Sequence, residues 1–234
     1  MSVVIRKASS RGHANHGWLD SFHTFSFADY YNPEQMGFSA LRVINDDTVQ
    51  PQGGFATHGH RNMEIVSYVI SGALAHQDST GGGGALHNGD VQVMSAGTGV
   101  RHSEYNGLTA EPVHFLQIWL LPAEKDVAPR YGQRNYPEDE RRGKWRLVAS
   151  PDGADGSLEI RQDARVYATL VDVGERAELS LMPGRKAWAQ IATGAANLNG
   201  VALEAGDGAA IDDETALRLE GAAPNSQILL FDLP

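Results

Sequence analysis

Short β-branched runs cut off by glycine constrain this chain more than any other feature. Glu64-Ile65-Val66-Ser67-Tyr68-Val69-Ile70 stops at Ser71-Gly72, and Ala73-Leu74-Ala75-His76-Gln77-Asp78 takes up the next run. Gly81-Gly82-Gly83-Gly84 forms a flexible hairpin loop, and His87-Asn88-Gly89-Asp90 turns into Val91-Gln92-Val93-Met94. Val113-His114-Phe115-Leu116-Gln117-Ile118-Trp119-Leu120 is the most hydrophobic run of this half. Val, Ile and aromatic residues suit a pleated, half-buried surface, and glycine supplies the turn conformations between runs. Evenly spaced short strands without long helical periods predict an all-β protein, either a sandwich or a barrel.

The second half repeats this order weakly. Tyr68-Val69-Ile70-Ser71-Gly72-Ala73-Leu74 is echoed by Gln190-Ile191-Ala192-Thr193-Gly194-Ala195-Ala196. Asn88-Gly89-Asp90-Val91-Gln92-Val93-Met94 is echoed by Ala205-Gly206-Asp207-Gly208-Ala209-Ala210-Ile211. Both copies read strand, glycine turn, strand, Gly-Asp turn, strand, the order expected of a duplicated β-barrel. Pro122, Pro129 and Pro137 stand among charged clusters, so 122–146 reads as a connecting segment. The expected division is therefore a first domain over 1–121 and a second over 147–234. Ahead of the first repeat, Val3-Val4-Ile5 reads as a strand and Arg11–Trp18 as a polar loop. Phe25 and Phe27 have strand-like spacing, and Leu41–Ile44 is a strand closing in the turn Asn45-Asp46-Asp47.

Composition narrows the chemistry. The chain has no cysteine, which excludes disulfides, thiolate metal sites and thiol catalysis. A formal net charge of −10 argues against broad nucleic-acid or anionic-membrane surfaces. No run approaches a membrane span and no signal-peptide pattern opens the chain, so a cytoplasmic protein is expected. All nine histidines lie at or before His114, which confines imidazole chemistry to the first half.

Residues two apart on a strand share a face. His58 and His60 therefore point one way, and His102 and Glu104 another; neighbouring strands would bring all four to one point. Three imidazoles and one carboxylate define a site for a divalent transition ion with coordination positions left open. Iron, copper, nickel, manganese, cobalt and zinc all accept such donors, and affinity order does not choose among them. Glu64 shares the parity of His58 and His60 and is expected at most behind the ligands. The second half places Asp212-Asp213-Glu214-Thr215-Ala216 where the first has His and Glu, so the second barrel is expected to lack the metal. His13, His16 and His23 are candidates for a pocket wall, whereas His76, His87 and His114 read as structural. Phe22, Phe25, Phe27, Phe38, Met63, Met94, Phe115 and Trp119 are candidates for an apolar wall, with most expected in the core.

Gly-x4-His-x-His-x3-Glu at 53–64 and Gly-x5-Ser-x-Gly-x4-His-x3-Asn at 89–106 resemble the paired motifs of the cupin superfamily. Ser95 stands where that pattern has proline, and His102 sits two residues late. His13-x-x-His16-Gly17-Trp18-Leu19, His23–Tyr31, Leu41–Asp47, Met94–Gly99 and His102-Ser103-Glu104 resemble the signature blocks of pirins, over roughly residues 5–121. The resemblance implies a bicupin fold of two antiparallel barrels, with metal ligands at His58, His60, His102 and Glu104 and none at Glu64. Iron stands first among the candidate ions. For bacterial members the resemblance implies quercetin 2,3-dioxygenase activity on a small aromatic, flavonol-like substrate and dioxygen, with Glu104 accepting the proton of the flavonol 3-hydroxyl. Two other roles compatible with it are metal sensing through a protein partner and a different metal-dependent reaction on a cupin scaffold.

Overall fold

The computed structural model describes residues 2–234, and strands account for most of them. In chain order the strands are β1 (Ser2–Arg6), β2 (Gly12–Asn15), β3 (Leu19–His23), β4 (Leu41–Val49), β5 (Gly54–His60), β6 (Glu64–Ser71), β7 (Ala73–Asp78), β8 (Gly83–His87), β9 (Asp90–Ser95), β10 (Val100–Asn106), β11 (Val113–Leu120) and β12 (Arg130–Asn135). They continue as β13 (Arg146–Ser150), β14 (Leu158–Glu159), β15 (Arg165–Val171), β16 (Arg176–Ser180), β17 (Lys186–Thr193), β18 (Ala195–Leu198), β19 (Val201–Glu204), β20 (Gly208–Asp212), β21 (Ala216–Gly221) and β22 (Ser226–Leu233). Among the described residues no helix is long and apolar enough to cross a membrane.

Two compact units result. The first holds Gly12–Asn135 and Leu158–Gln162. One of its sheets runs β12-β9-β6-β11-β4-β3-β2, and the other runs β5-β10-β7-β8. β6 and β11 occupy the middle of the larger sheet. Seven of the eight residues of β6 are buried, and its β-branched run supplies side chains to both faces. Leu19, Val49, Val69, Leu74, Leu86, Val113 and Phe115 form one cluster of this unit's core. The second unit holds 2–11, Tyr136–Ser157 and Asp163–Pro234, with one sheet running β1-β20-β17-β22-β15-β13 and another running β16-β21-β18-β19. Its core joins Ile191, Leu198, Leu217, Leu219, Ile228 and Leu230 to their neighbours.

These units depart from the division expected at 121 and 147. β1 pairs with β20, from Ser2↔Asp212 to Arg6↔Gly208, and so completes a sheet of the second unit. Its Val3 and Ile5 pack on that unit's core, and Lys7 donates to Asp207 at 2.8 Å. The proline-marked segment is not a free connection either. Its Arg130–Asn135 stretch pairs with β9 as an edge strand, where the prolines lie outside the ladder. Two local expectations also change. The polar stretch from Gly12 is strand, because His13 stacks on Phe22 of the adjacent β3, with ring centroids 4.4 Å apart. Phe25 and Phe27 do not form a strand: Phe25 is core, and Phe27 closes a tight turn by bridging Tyr30.

The internal echo is structural. Gly72 between β6 and β7 and Gly194 between β17 and β18 both adopt left-handed φ, +80° and +76°. A Cβ at either would meet backbone or Ser226 atoms within 2.6 Å, so both turns require glycine.

Candidate metal centre

β10 carries the site because its pleat alternates cleanly. Val100, His102, Glu104 and Asn106 are buried, while Arg101 and Tyr105 face solvent. Its two neighbours are β5 and β7. Against β5, His102 lies opposite His58, but Glu104 lies opposite Phe55, so β5 contains one extra residue. This bulge restores the inward phase, and Phe55, His58 and His60 all line the same cavity. Gly54 makes the close approach possible, since a Cβ there would stand 2.5 Å from the Glu104 carbonyl oxygen.

Three of the four expected ligands close on one point. The Nε2 atom of His102 lies 3.0 Å from that of His58 and 2.9 Å from that of His60. Ligand nitrogens about 2.1 Å from an ion at right angles are about 3 Å apart, so the spacing fits a shared cation. The His58 Nδ1 hydrogen is donated to the Ala56 carbonyl at 2.9 Å, which leaves Nε2 as a bare lone pair. Burial, reinforced by the other imidazoles, pushes His60 down to about 4 and His102 to about 3. Neutral imidazoles crowded tip to tip are poor partners for one another and good ligands for a cation.

Glu104 is placed differently. It is buried on the cavity wall, accepts from Gln117 Nε2 at 2.8 Å and from Ser67 Oγ at 3.4 Å, and has a carboxylate oxygen within 4.8 Å of ring nitrogens of both His102 and His76. Burial raises its carboxyl to about 7 despite those hydrogen bonds. A cation beside it favours the ionised form. Glu64 is buried too, but it accepts from Ser95 Oγ at 2.6 Å and from the Arg161 backbone N–H at 3.0 Å. β5 ends at His60, so parity does not carry through to Glu64.

His76, read as structural from sequence, belongs to the site. β7 sets it opposite Glu104 and sets Asp78 opposite His102. Asp78 Oδ2 lies 3.1 Å from His76 Nε2, and His76 Nδ1 lies 3.4 Å from His102 Nδ1. With the Nε2 hydrogen on Asp78, His76 turns a lone pair toward the Nδ1 hydrogen of His102. That fixes His102 Nε2 as the free ligand atom. The signal in the sequence is a His-x-Asp pair, His76 and Asp78, with the spacing of His102 and Glu104, but only the pairing of β7 with β10 gives it meaning. Asp78→Asn keeps the Oδ1 acceptor that Thr80 and Gly82 use and removes the one that His76 needs. We expect metal affinity to fall by about 10–100-fold with little change in Tm, measured by chelator competition and thermal melting.

The cavity over these residues measures about 530 Å³, within the range of small-molecule sites. His13, His16 and His23 all line it, as do Phe27, Phe55 and Trp119. Phe25, Met94 and Phe115 belong to the core. His114 sits apart, paired with Asp46 at 2.6 Å.

Two β-barrel units, one with an imidazole-rich cavity for a divalent ion, define a bicupin metalloprotein. Residues 4–120 match the family model described as Pirin, and residues 147–233 match that of the quercetinase C-terminal cupin domain. The chain belongs to the pirin family. It is 50% identical over 232 residues to the quercetin 2,3-dioxygenase of Escherichia coli strain K12, covering 99% of both chains. A pirin-like protein of Caulobacter vibrioides is 44% identical, covering 98% of this chain and 99% of that one. The crystal structure of the bacterial pirin YhhW from Escherichia coli in complex with nickel(II) superposes with a TM-score of 0.93 at 48% identity, over 100% of this chain and 99% of that one.

Proposed function

We propose that this chain is a metal-dependent dioxygenase that opens the heterocyclic ring of a flavonol such as quercetin, incorporating dioxygen and releasing one ring carbon as carbon monoxide. His58, His60, His102 and Glu104 are the residues that would hold the divalent ion. The observation carrying this reading is a buried carboxyl, Glu104, on the cavity wall within 4.8 Å of His102, the imidazole on which His58 and His60 converge. A bound ion supplies Lewis acidity toward an ionised hydroxyl and an open position for chemistry with dioxygen.

The chain's own groups do the rest. Glu104, ionised beside a bound cation, would be placed on the cavity wall to accept a hydroxyl proton. Gln117 and Ser67 hold its carboxylate in place. Phe27, Phe55 and Trp119 give the cavity apolar surfaces suited to a flat aromatic ligand and to excluding water. The names of the relatives support the same substrate class.

Oxygen uptake with quercetin, measured on protein loaded separately with iron, nickel, copper, cobalt, manganese or zinc, tests the assignment. At least one form is expected to consume oxygen and bleach the flavonol absorbance; silence from every form would sink it. Glu104→Gln is expected to lower kcat by about 10²–10⁴-fold while keeping more than half of the bound metal. Full turnover by that variant would remove Glu104 as the base.

A further inference from the structure

A polar row crosses the larger sheet, and three of its members, His23, Asn45 and Gln117, line the cavity. In register, His23 on β3 pairs with Asn45 on β4, Asn45 with Gln117 on β11, Gln117 with Ser67 on β6, and Ser67 with Gln92 on β9. Register partners present side chains to the same face, so these five form a transverse stripe. One half of the stripe serves the metal centre. Gln117 and Ser67 hold Glu104, and Gln92 Nε2 lies 3.5 Å from His76 Nδ1.

The other half has no such duty. Asn45 lines the cavity at 3% exposure, and its buried Oδ1 has no hydrogen-bond partner. Two residues along β4, on the same face, Asp47 also lines the cavity at 3% exposure and accepts a hydrogen bond from Ser21 Oγ. Ser21 in turn lies 2.9 Å from His23 Nε2. A buried carbonyl left unpaired is costly, and cavity-facing groups of this kind are where ligand specificity is written. The Asn45 oxygen and the Asp47 carboxylate both call for a hydrogen-bond donor.

We infer that Asn45, Asp47 and Ser21 form a second binding subsite that accepts a hydroxyl group of an aromatic ligand about one strand spacing from the residues holding Glu104. This rests on the flavonol reading and deepens it. The cavity selects polyhydroxylated aromatics, and an ether or a bare ring edge at this position leaves Asn45 unpaired. Sites built around buried hydrogen-bonding groups reject analogues that lack the partner. Burial also raises the Asp47 carboxyl to about 7, yet either protonation state keeps an oxygen available to accept.

Equilibrium binding under anaerobic conditions, followed by quenching of tryptophan fluorescence, tests the subsite without turnover. Quercetin is compared with 3-hydroxyflavone, which keeps the 3-hydroxyl and lacks the others. Metal-loaded wild type is expected to prefer quercetin by roughly 10-fold or more. Asn45→Leu should bring the ratio close to one, and Ser21→Ala, which loosens Asp47, should lower it by a smaller factor, each changing 3-hydroxyflavone affinity less than about twofold. Since Asn45→Leu removes an unpaired buried amide, its ligand-free Tm should equal or exceed the wild-type value, a result that ligand contacts alone would not produce. A wild-type preference that survives both substitutions overturns the subsite, as does wild-type protein that binds neither compound. A preference that is present and lost in the variants, in protein that never consumes oxygen, upholds the subsite and removes only the dioxygenase reading.

Discussion

His102→Ala is expected to lower metal affinity by roughly a hundredfold or more and to take flavonol turnover with it. His102 is the hub of the imidazole cluster: its Nε2 faces both other Nε2 atoms, and its Nδ1 faces His76. At 1% exposure it is also the most buried of the three, so water does not replace it easily. His58 lies at the partly exposed end, and His58→Ala should cost less. Elemental analysis after dialysis against a weak chelator, with circular dichroism to establish folding, reads both variants. A folded His102→Ala protein that keeps one metal per chain would refute this assignment of the hub.

Asp47→Asn should change how stability responds to pH. Burial, opposed by the Ser21 hydrogen bond and supported by Asp46 and Glu104, raises the Asp47 carboxyl to about 7 from an ordinary 3.8. Below about pH 4 the folded and unfolded chains both hold the proton, and the group has no effect. Between about 4 and 7 the unfolded chain has released the proton and the folded chain still holds it, so stability falls as pH rises. Above about 7 the loss levels off, with a ceiling of about 4 kcal/mol at 1.36 kcal/mol per unit. The asparagine variant has no such proton to lose. Its stability relative to wild type is therefore expected to be distinctly more favourable at pH 8 than at pH 5, in urea denaturation of the metal-free proteins. A stability difference that stays flat across that interval would show that Asp47 titrates normally in the fold.

How much of the site is legible in the chain follows from range. Strand periodicity is a property of neighbours in the chain, so the shared inward phase of His102 and Glu104 can be read from their two-residue spacing alone. The glycine turns at Gly72 and Gly194 are legible for the same reason. Pairing is not local. The bulge in β5 that brings Phe55 into phase, and the register that sets Asp78 opposite His102, arise only when strands meet. His76 escapes a sequence reading on that account. The turn expected at Asn45 fails similarly: Asn and Asp favour turns in isolation, but nine residues of β4 are held straight between β3 and β11.

The first strand also sets a schedule. Val4 finds its partner in Ala210, some 200 residues later. At roughly 5–20 residues per second, the growing chain holds β1 without its neighbour for about 10–40 s. During that interval Val3 and Ile5 have no core to enter, and the amides of β1 form an unpaired edge. That sheet therefore closes only when an early-made segment meets one made some 200 residues later. A single cut after residue 121 or 135 would not yield two self-sufficient pieces; the later one would lack its border strand. Expressed alone, 136–234 should fold better with 2–11 appended after Pro234 than without it.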